Sequence, residues 1–506
     1  MEHRNDRFIR HLKDIVLVTI NAKWIHPSLA LRLLKANLGA LEEDCEILEF
    51  ALRQPLAEKL EPFAAACAEG APPKILGISV SIWNHLATIE LLKELEKIRA
   101  EFAYAKPVIV LGGPEVSHLP HDAEILKYAD HVICGEGEIA FRELCEKILG
   151  KEVLAKTPKR QEEKKIKTAY HLYTDEDVRK KLIYVESSRG CPFKCDFCLS
   201  ALENTIYEFP LEQFLAEMEI LINRGVKTFK FLDRSFNINI PRALQIIEFF
   251  LEKIITSSSS LNPCKSEKSA QIRVSSSPNI PFTVHFEMVP SLFPPELLQA
   301  LTRFPPGTLR LEIGIQTLNP QVSARINRPS NPEKEIETLR FLRENTNAII
   351  HADLIAGLPG EDLMSFGRGF DRLIDSSYIS SYNSRYNSSY ISSYVEIQLG
   401  ILKQLPGAPI SRHNEEFGMR FNPLPPYDIE ETASISADDI QRIKNFARFW
   451  ELLVNRGLVK LENEAVFDRF MSLSDKLFSH FGRNWGIDKE ELLYFYETHY
   501  QYVVHT

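Results

Sequence analysis

No stretch of the sequence stays apolar long enough to cross a bilayer, which excludes a helical membrane span. The opening residues, MEHRNDRFIRHLKD, are charged and contain no apolar core of the kind a secretion signal needs, so a cytoplasmic protein is expected. An excess of basic residues is also missing. Lys and Arg number 60 against 69 Asp and Glu, a net charge of −9. That balance argues against a broad phosphate-binding surface and disfavours nucleic acid as a partner. Cysteine is scarce, eight in 506 residues. In a reducing compartment these thiols do not form a disulfide framework.

What is present fits a soluble α/β protein of about three domains, with 44% hydrophobic and 25% charged residues. Over residues 1–150, short apolar runs rich in β-branched residues alternate with helical patterns. DIVLVTI (14–20), CEILEFA (45–51), KILGISVSI (74–82), PVIVLGG (107–113) and HVICGEGE (131–138) read as strands. PSLALRLLKANLGAL (27–41) and IAFRELCEKIL read as helices. This alternation predicts a Rossmann-like parallel sheet with right-handed crossovers, whose ligands bind beyond the carboxyl ends of the strands. Those ends are NAKWIHPS, SVSIWNH, GGPEVS and GEGE, where glycine permits close backbone approach to a large ligand.

Residues 151–181 are highly charged and read as a linker. A second β/α series follows over residues 182–405. Its strands are expected at LIYVESS (182–188), TFKFLD (228–233), FTVHFEM (282–288), LRLEIGIQ (309–316), IIHADLIAG (349–357) and YVEIQLGIL (394–402). Six strands fall short of the eight of a closed barrel, so a partial (β/α)6 barrel is expected. Two Ser-rich stretches, 256–279 and 376–394, read as tolerated insertions between elements. Residues 406–506 read as a mainly helical C-terminal domain. It opens on the proline-rich FNPLPPYDIEET and continues into a Ser-capped helix, SADDIQRIKNFARFWELLVNRG (436–457).

The chemistry concentrates in SRGCPFKCDFC (188–198), where Cys191, Cys195 and Cys198 are separated by three and then two residues. A structural zinc site wants four ligands, and no second CxxC pair follows. A redox CxxC would leave Cys191 unexplained. Simple buried thiols fit poorly in a loop with Gly, Pro, Lys and Asp. An iron–sulfur cluster, held by thiolates, remains. Three thiolates on a four-iron cluster leave one iron open to a substrate or cofactor.

This C-x3-C-x2-C spacing, with Phe197 before the last cysteine and the first barrel strand before the loop, resembles the signature of the radical S-adenosylmethionine (SAM) superfamily. The resemblance implies a [4Fe–4S] cluster on Cys191, Cys195 and Cys198. The open iron would bind SAM, which is cleaved to a 5′-deoxyadenosyl radical with electrons from a donor such as flavodoxin or ferredoxin. FKFLDRSFN (229–237) resembles the second-strand end that meets SAM, with Asp233 as the contact. LEIGIQTLNPQVSARINR (311–328) resembles the fourth strand and its loop, where Glu312 and Gln316, with Arg325, would face the cofactor. ADLIAGLPGED (352–362) is similar to the motif beside adenine, where Gly357, Pro359 and Gly360 form a turn. Glu312 could equally be a barrel ion-pair partner, and the Gly-Pro stretch merely a turn.

A Rossmann-like domain immediately before such a barrel resembles the cobalamin-binding members of the superfamily. The loops that would line the cobalamin tail contain Ser79 and Ser81, Gly112 and Gly113, and Gly135, Glu136 and Gly137. The D-x-H-x-x-G motif that supplies an axial histidine elsewhere is absent. His26 lies in the first loop without that context and reads as a helix-entry residue. NAKWIHPSLALRLLKANL (21–38), with the FNPLPPYDIEE region, is similar to an uncharacterised subgroup with an extra C-terminal domain of unknown function.

The expectation is therefore a cobalamin-dependent radical SAM enzyme, a methyltransferase or a catalyst of another radical reaction, with no catalytic residue assigned. The first alternative is a radical SAM enzyme without functional cobalamin, including one that modifies RNA. Methylthio-transferring members carry three extra N-terminal cysteines; here Cys45, Cys67, Cys134 and Cys145 are scattered and read as ordinary buried thiols. The second alternative is a non-catalytic iron–sulfur or zinc scaffold.

Overall fold

The structure, a computed structural model, describes residues 11–102, 106–150, 166–202, 206–260, 280–377, 395–459 and 466–499. The chain forms two compact units. One comprises Met1–Val185 with Glu219–Lys227, the other Glu186–Met218 with Thr228–Thr506.

The first unit is built on strands β1 (Ile15–Asn21), β2 (Cys45–Ala51), β3 (Ile75–Ser79), β4 (Val108–Gly112) and β5 (His131–Ile133). Helices α1 (Leu29–Ala36), α2 (Leu56–Ala68), α3 (His85–Phe102) and α4 (Glu138–Ile148) alternate with them. The strand order is β2-β1-β3-β4-β5, with every neighbour parallel. This doubly wound order reverses between β1 and β3, so a ligand crevice belongs at their carboxyl ends. All seven residues of β1 are buried, as expected where helices cover both faces. Val16, Val18 and Ile20 enter one apolar cluster, Ile15 and Leu17 the other.

The stretch expected to be a linker divides. Residues 151–165 lie outside the described residues. Residues 166–181 fold onto the first unit, because TAYHLYTDEDV supplies apolar residues to bury. Ala169, Tyr170, Tyr173 and Val178 are buried. Thr174 caps α5 (Asp175–Lys180) through a reciprocal bond with Asp177. Asp177 is ion-paired with buried Arg32 at 2.8 Å, and Arg32 also holds Glu49 at 2.9 Å.

The second series contains six principal strands: β6 (Ile183–Val185), β9 (Thr228–Phe231), β10 (Thr283–Met288), β11 (Leu309–Gln316), β12 (Ile349–Ala356) and β13 (Val395–Ile401). Its sheet order is β13-β12-β11-β10-β9-β6. The sheet is open, with β6 and β13 at its edges, and β9 through β13 are parallel. A small ribbon, β7 (Ser188–Arg189) with β8 (Tyr207–Glu208), precedes β9. The helices of this series are α6 (Leu211–Asn223), α7 (Ile240–Ser260), α8 (Pro295–Leu301), α9 (Pro320–Arg325), α10 (Pro332–Asn345) and α11 (Leu363–Ser377).

Alternation along the strands separates two faces. Phe229 and Phe231 of β9 pack on Phe250 of α7, at 5.2 and 5.8 Å between ring centroids. The other face is polar: Lys230 on β9 reaches across β10 to pair with Glu312 on β11, His285 on β10 lies beside the same carboxylate, and His351 on β12 faces Glu396 on β13. Apart from the first residues of each, which end α7 and α11, the Ser-rich insertions lie outside the described residues.

Residues 406–506 belong to the same compact unit as β9–β13. They begin with a 3-10 turn, Pro409–His413, and a small antiparallel hairpin, β14 (Arg420–Phe421) with β15 (Ile429–Glu431). Helices α12 (Ala437–Trp450), α13 (Val466–Phe481) and α14 (Lys489–His499) follow. Phe446 and Trp450 of α12 pack on Phe370 of α11 and Phe470 of α13, with centroids 4.8–5.2 Å apart. The region is mainly helical, as expected, and the proline-rich stretch lies in the hairpin.

Candidate functional site: the cysteine loop and the strand ends

The cysteine loop leaves β7 through Gly190, whose φ of +88° suits glycine. Cys195 is buried, and Cys191 and Cys198 are half-buried. Cys198 N donates to Cys195 O at 3.0 Å, which closes a tight turn around Asp196 and Phe197. Asp196 N donates to Ile326 O at 3.0 Å. Arg328 Nη1 approaches Cys195 Sγ at 3.8 Å, and Cys191 Sγ lies 3.3 Å from Ser235 Oγ. Burial pushes the Cys195 thiol above its ordinary range; the Arg328 guanidinium opposes this, and the other two cysteines add to the rise.

Among the described residues, no three His, Cys, Asp or Glu side chains gather closely enough to hold a single metal ion. Three thiols on one loop that do not converge on one point suit a cluster better than one ion. A cationic guanidinium and a hydroxyl beside them suit thiolates.

The other residues singled out in the sequence surround this loop in different ways. Asp233, just past β9, is 1% exposed. It accepts from Ser187 N at 2.9 Å, Ser187 Oγ at 2.6 Å and Ser188 Oγ at 2.7 Å. Burial raises its pKa against those hydrogen bonds. Its carboxylate thereby anchors the base of the cysteine loop.

Glu312 on β11 does form the barrel ion pair: Lys230 Nζ lies at 3.0 Å and His285 Nε2 at 3.2 Å. The adjacent His285 ring and Lys230 hold its pKa at about 2. Gln316 ends β11 in the left-handed region, φ +69°, at a register shift after Gly314. A Cβ on Gly314 would stand 2.4 Å from Gln316 Nε2, so the amide folds back over that glycine.

Gly357 and Gly360, both with positive φ, frame the turn after β12. Arg325 Nη1 donates to Pro359 O at 2.6 Å, and the Arg325 guanidinium lies 4.6 Å from the Phe417 ring centre. Two carboxyls near this region were not singled out in the sequence. Asp353 is pushed up to about 8 by burial and by Glu312 and Glu287, and Glu361 to about 7 by burial. Their periodic position on, or just past, a barrel strand was the only signal available.

In the first unit, the loop after β3 is tied across to β1. Asn84 Nδ2 donates to Ile20 O at 3.0 Å and to Ser79 O at 3.2 Å, and Asn84 Oδ1 accepts from Ser81 N at 2.8 Å. Ser81 is buried under this knot, while Ser79 is half-buried. Gly113, φ +106°, admits no side chain: a Cβ would stand 2.4 Å from Val80 O. Gly112 ends β4. Gly135 and Glu136 are exposed before α4, and Gly137 stands at that helix's N-cap. Trp24 and Trp83 are half exposed at the same carboxyl edge. His26 Nδ1 lies 2.7 Å from Tyr184 Oη, an engagement consistent with a helix-entry residue. Of the scattered cysteines, Cys45, Cys67 and Cys145 are buried as expected. Cys134 is exposed, because it follows a short edge strand whose own residues face outward.

Residues 15–145 match the B12 binding domain family, and residues 185–370 match the radical SAM superfamily. The chain carries a B12-binding domain followed by a radical SAM domain. A radical SAM domain takes a [4Fe–4S] cluster and SAM, and a B12-binding domain takes cobalamin; these are the cofactors of this chain.

Over 387 residues the chain is 25% identical to the cobalamin-dependent radical SAM methyltransferase TokK of Streptomyces tokunonensis, covering 69% of this chain and 50% of that one. It is 24% identical to a 2-(S-pantetheinyl)-carbapenam-3-carboxylate methyltransferase of Streptantibioticus cattleyicolor, covering 63% and 47%. The chain thus spans about half the length of these curated relatives. Among solved structures it resembles the cobalamin-dependent SAM radical enzyme OxsB with aqua-cobalamin bound, with TM-score 0.60 and 16% identity over 97% of this chain and 79% of that one. It also resembles the radical SAM methyltransferase TsrM of Kitasatospora setae, with TM-score 0.56 and 14% identity over 92% and 100%. The B12-binding and radical SAM domains thus take the α/β folds expected for them. No helix among the described residues is long and apolar enough to cross a membrane.

Proposed function

We propose that this protein is a cobalamin-dependent radical SAM enzyme that methylates its substrate or performs another radical reaction on it. The observation that carries this reading is the pairing of a B12-binding domain at 15–145 with a radical SAM domain at 185–370 in one chain. The alignment with TokK, which runs over 69% of the chain, supports it. The domains would be 1–150 for cobalamin, 182–405 for the radical SAM barrel and 406–506 for the C-terminal region, with 151–181 between the first two.

Cys191, Cys195 and Cys198 would hold the cluster, which supplies the electron that cleaves SAM and leaves one iron open for it. Arg328 and Ser235 stabilise the thiolate forms by donating to sulfur. Asp233 fixes the strand end through Ser187 and Ser188. Glu312, kept ionised by Lys230 and His285, presents a fixed negative charge on the polar barrel face, and Gln316 presents its amide near the same strand end. Phe197 would shield the cluster loop. The Gly357–Pro359–Gly360 turn would let backbone approach the adenine. Ser79, Ser81, Gly112, Gly113, Gly135, Glu136 and Gly137 would line the cobalamin tail. The electron donor would be a flavodoxin or ferredoxin, the compartment the cytoplasm, and the substrate other than nucleic acid.

The test is anaerobic reconstitution of the full chain with iron, sulfide and hydroxocobalamin, followed by desalting. Iron and cobalamin per chain are measured, and 5′-deoxyadenosine is assayed after adding SAM and dithionite. Retained cobalamin near one per chain, with deoxyadenosine formed, is expected. Deoxyadenosine without retained cobalamin would favour a radical SAM enzyme whose first domain serves another ligand. Iron without deoxyadenosine would overturn both.

A further inference from the structure

The cysteine loop is gripped by a segment more than two hundred positions downstream. Asp196, between Cys195 and Cys198, is 1% exposed, and its polar atoms are all engaged. Its backbone N donates to Ile326 O at 3.0 Å, and its carbonyl accepts from Ile410 N at 2.8 Å. Oδ1 accepts from Asn327 Nδ2 at 3.0 Å. Oδ2 accepts from the Arg412 guanidinium and from His413 Nε2, the latter at 2.7 Å. A carboxylate only accepts, so His413 presents its N–H at Nε2. His413 is itself buried.

A buried carboxylate in a loop that also carries thiolates is costly unless donors surround it. Here two of the donors come from the start of the C-terminal region. That same segment reaches the turn after β12. Phe417 underlies Arg325, which holds Pro359 O. Ile429 lies against Gly357, where a Cβ would stand 2.6 Å from Ile429 Cγ2. The backbone continues the contact: Ile429 N donates to Leu402 O at 2.8 Å, and Leu402 N to Ala356 O at 3.0 Å.

We propose that residues 409–431 form a strap that sets the cysteine loop against the β12 turn, with Asp196 and His413 as positioning residues for the cluster. This rests on the radical SAM reading and assigns the beginning of the C-terminal region a role in the cluster site.

The experiment uses the full chain, reconstituted anaerobically, with the variants Asp196→Asn, His413→Ala and His413→Gln. The readouts are iron retained against a chelator, the EPR spectrum of the reduced cluster and its midpoint potential; melting temperature and retained cobalamin report folding. His413→Ala should bind the cluster roughly 10–100-fold more weakly, as when an outer partner of a metal ligand is lost. Its EPR signal and potential should shift, while cobalamin is retained. Asp196→Asn, nearly isosteric, should shift the potential without unfolding. His413→Gln, whose amide can donate to the same oxygen, should restore most of the cluster. Wild-type iron retention, EPR and potential in both His413→Ala and Asp196→Asn would overturn the strap. So would a His413→Gln variant as defective as His413→Ala. Wild-type protein that takes up no cluster would instead defeat the radical SAM reading itself.

Discussion

Cys195 is the most buried of the three loop thiols, and it is the one Arg328 approaches. Replacing it with Ala removes one ligand of three and leaves Arg328 without its sulfur partner. Cys195→Ala should lose the iron-dependent absorbance and all SAM cleavage; retained iron with retained deoxyadenosine formation would refute the ligand assignment. Glu361 allows a pH test. It is 2% exposed, its Oε1 accepts from Thr317 Oγ1 at 2.7 Å, and burial lifts its pKa from 4.5 to about 7. Between those values the folded chain holds a proton that the unfolded chain has released. The stability this group contributes is therefore complete below about pH 4.5 and is lost as pH rises through about 7. Glu361→Gln keeps the acceptor and cannot ionise. It should melt higher than wild type at pH 8, by an equivalent of about 2–3 kcal/mol, and match it at pH 5. Equal melting temperatures at both pH values would show that the carboxyl is not charged at pH 8.

At the scale of elements, single positions decide whether strand ends can meet. Gly113 lies between β4 and the loop after β3, with no room for a methyl group and a φ of +106°. Gly113→Ala should push Val80 aside, destabilise the first unit by at least about 1–2 kcal/mol from backbone strain alone, and lower cobalamin retention. Desalting and the absorption spectrum would check this. Helix α12 is fixed differently, by ring packing on two sides. Phe446, fully buried, has Phe470 at 4.8 Å and Phe370 at 5.2 Å. Phe446→Ala should leave a cavity that costs about 3–5 kcal/mol, read as a lowered denaturation midpoint.

For the whole molecule, two compact units predict separable losses. Gly113→Ala should lose cobalamin while keeping its iron, and Cys195→Ala should lose iron while keeping cobalamin. Loss of both cofactors in either variant would show that neither unit keeps its ligand without the other.

The periodicities by themselves determined most of the architecture. Strand runs at 14–20, 45–51, 74–82 and 107–113, and all six of the second series, lie where strands form, because a buried parallel strand needs a continuous or alternating apolar pattern and little else matches it. The three-cysteine spacing likewise marked the loop, since ligand chemistry is written in residue type and local distance. Tertiary structure alone decided the rest. The strand order β2-β1-β3-β4-β5 is set by crossovers that no local pattern encodes. Residues 166–181, within the charged stretch, are packed because Asp177 meets Arg32 from far along the chain. Asp233 became an anchor because Ser187 and Ser188 fold back on it. The Asp196–His413 pair joins residues 217 positions apart, a distance at which sequence pattern is silent and only folding brings a donor to an acceptor.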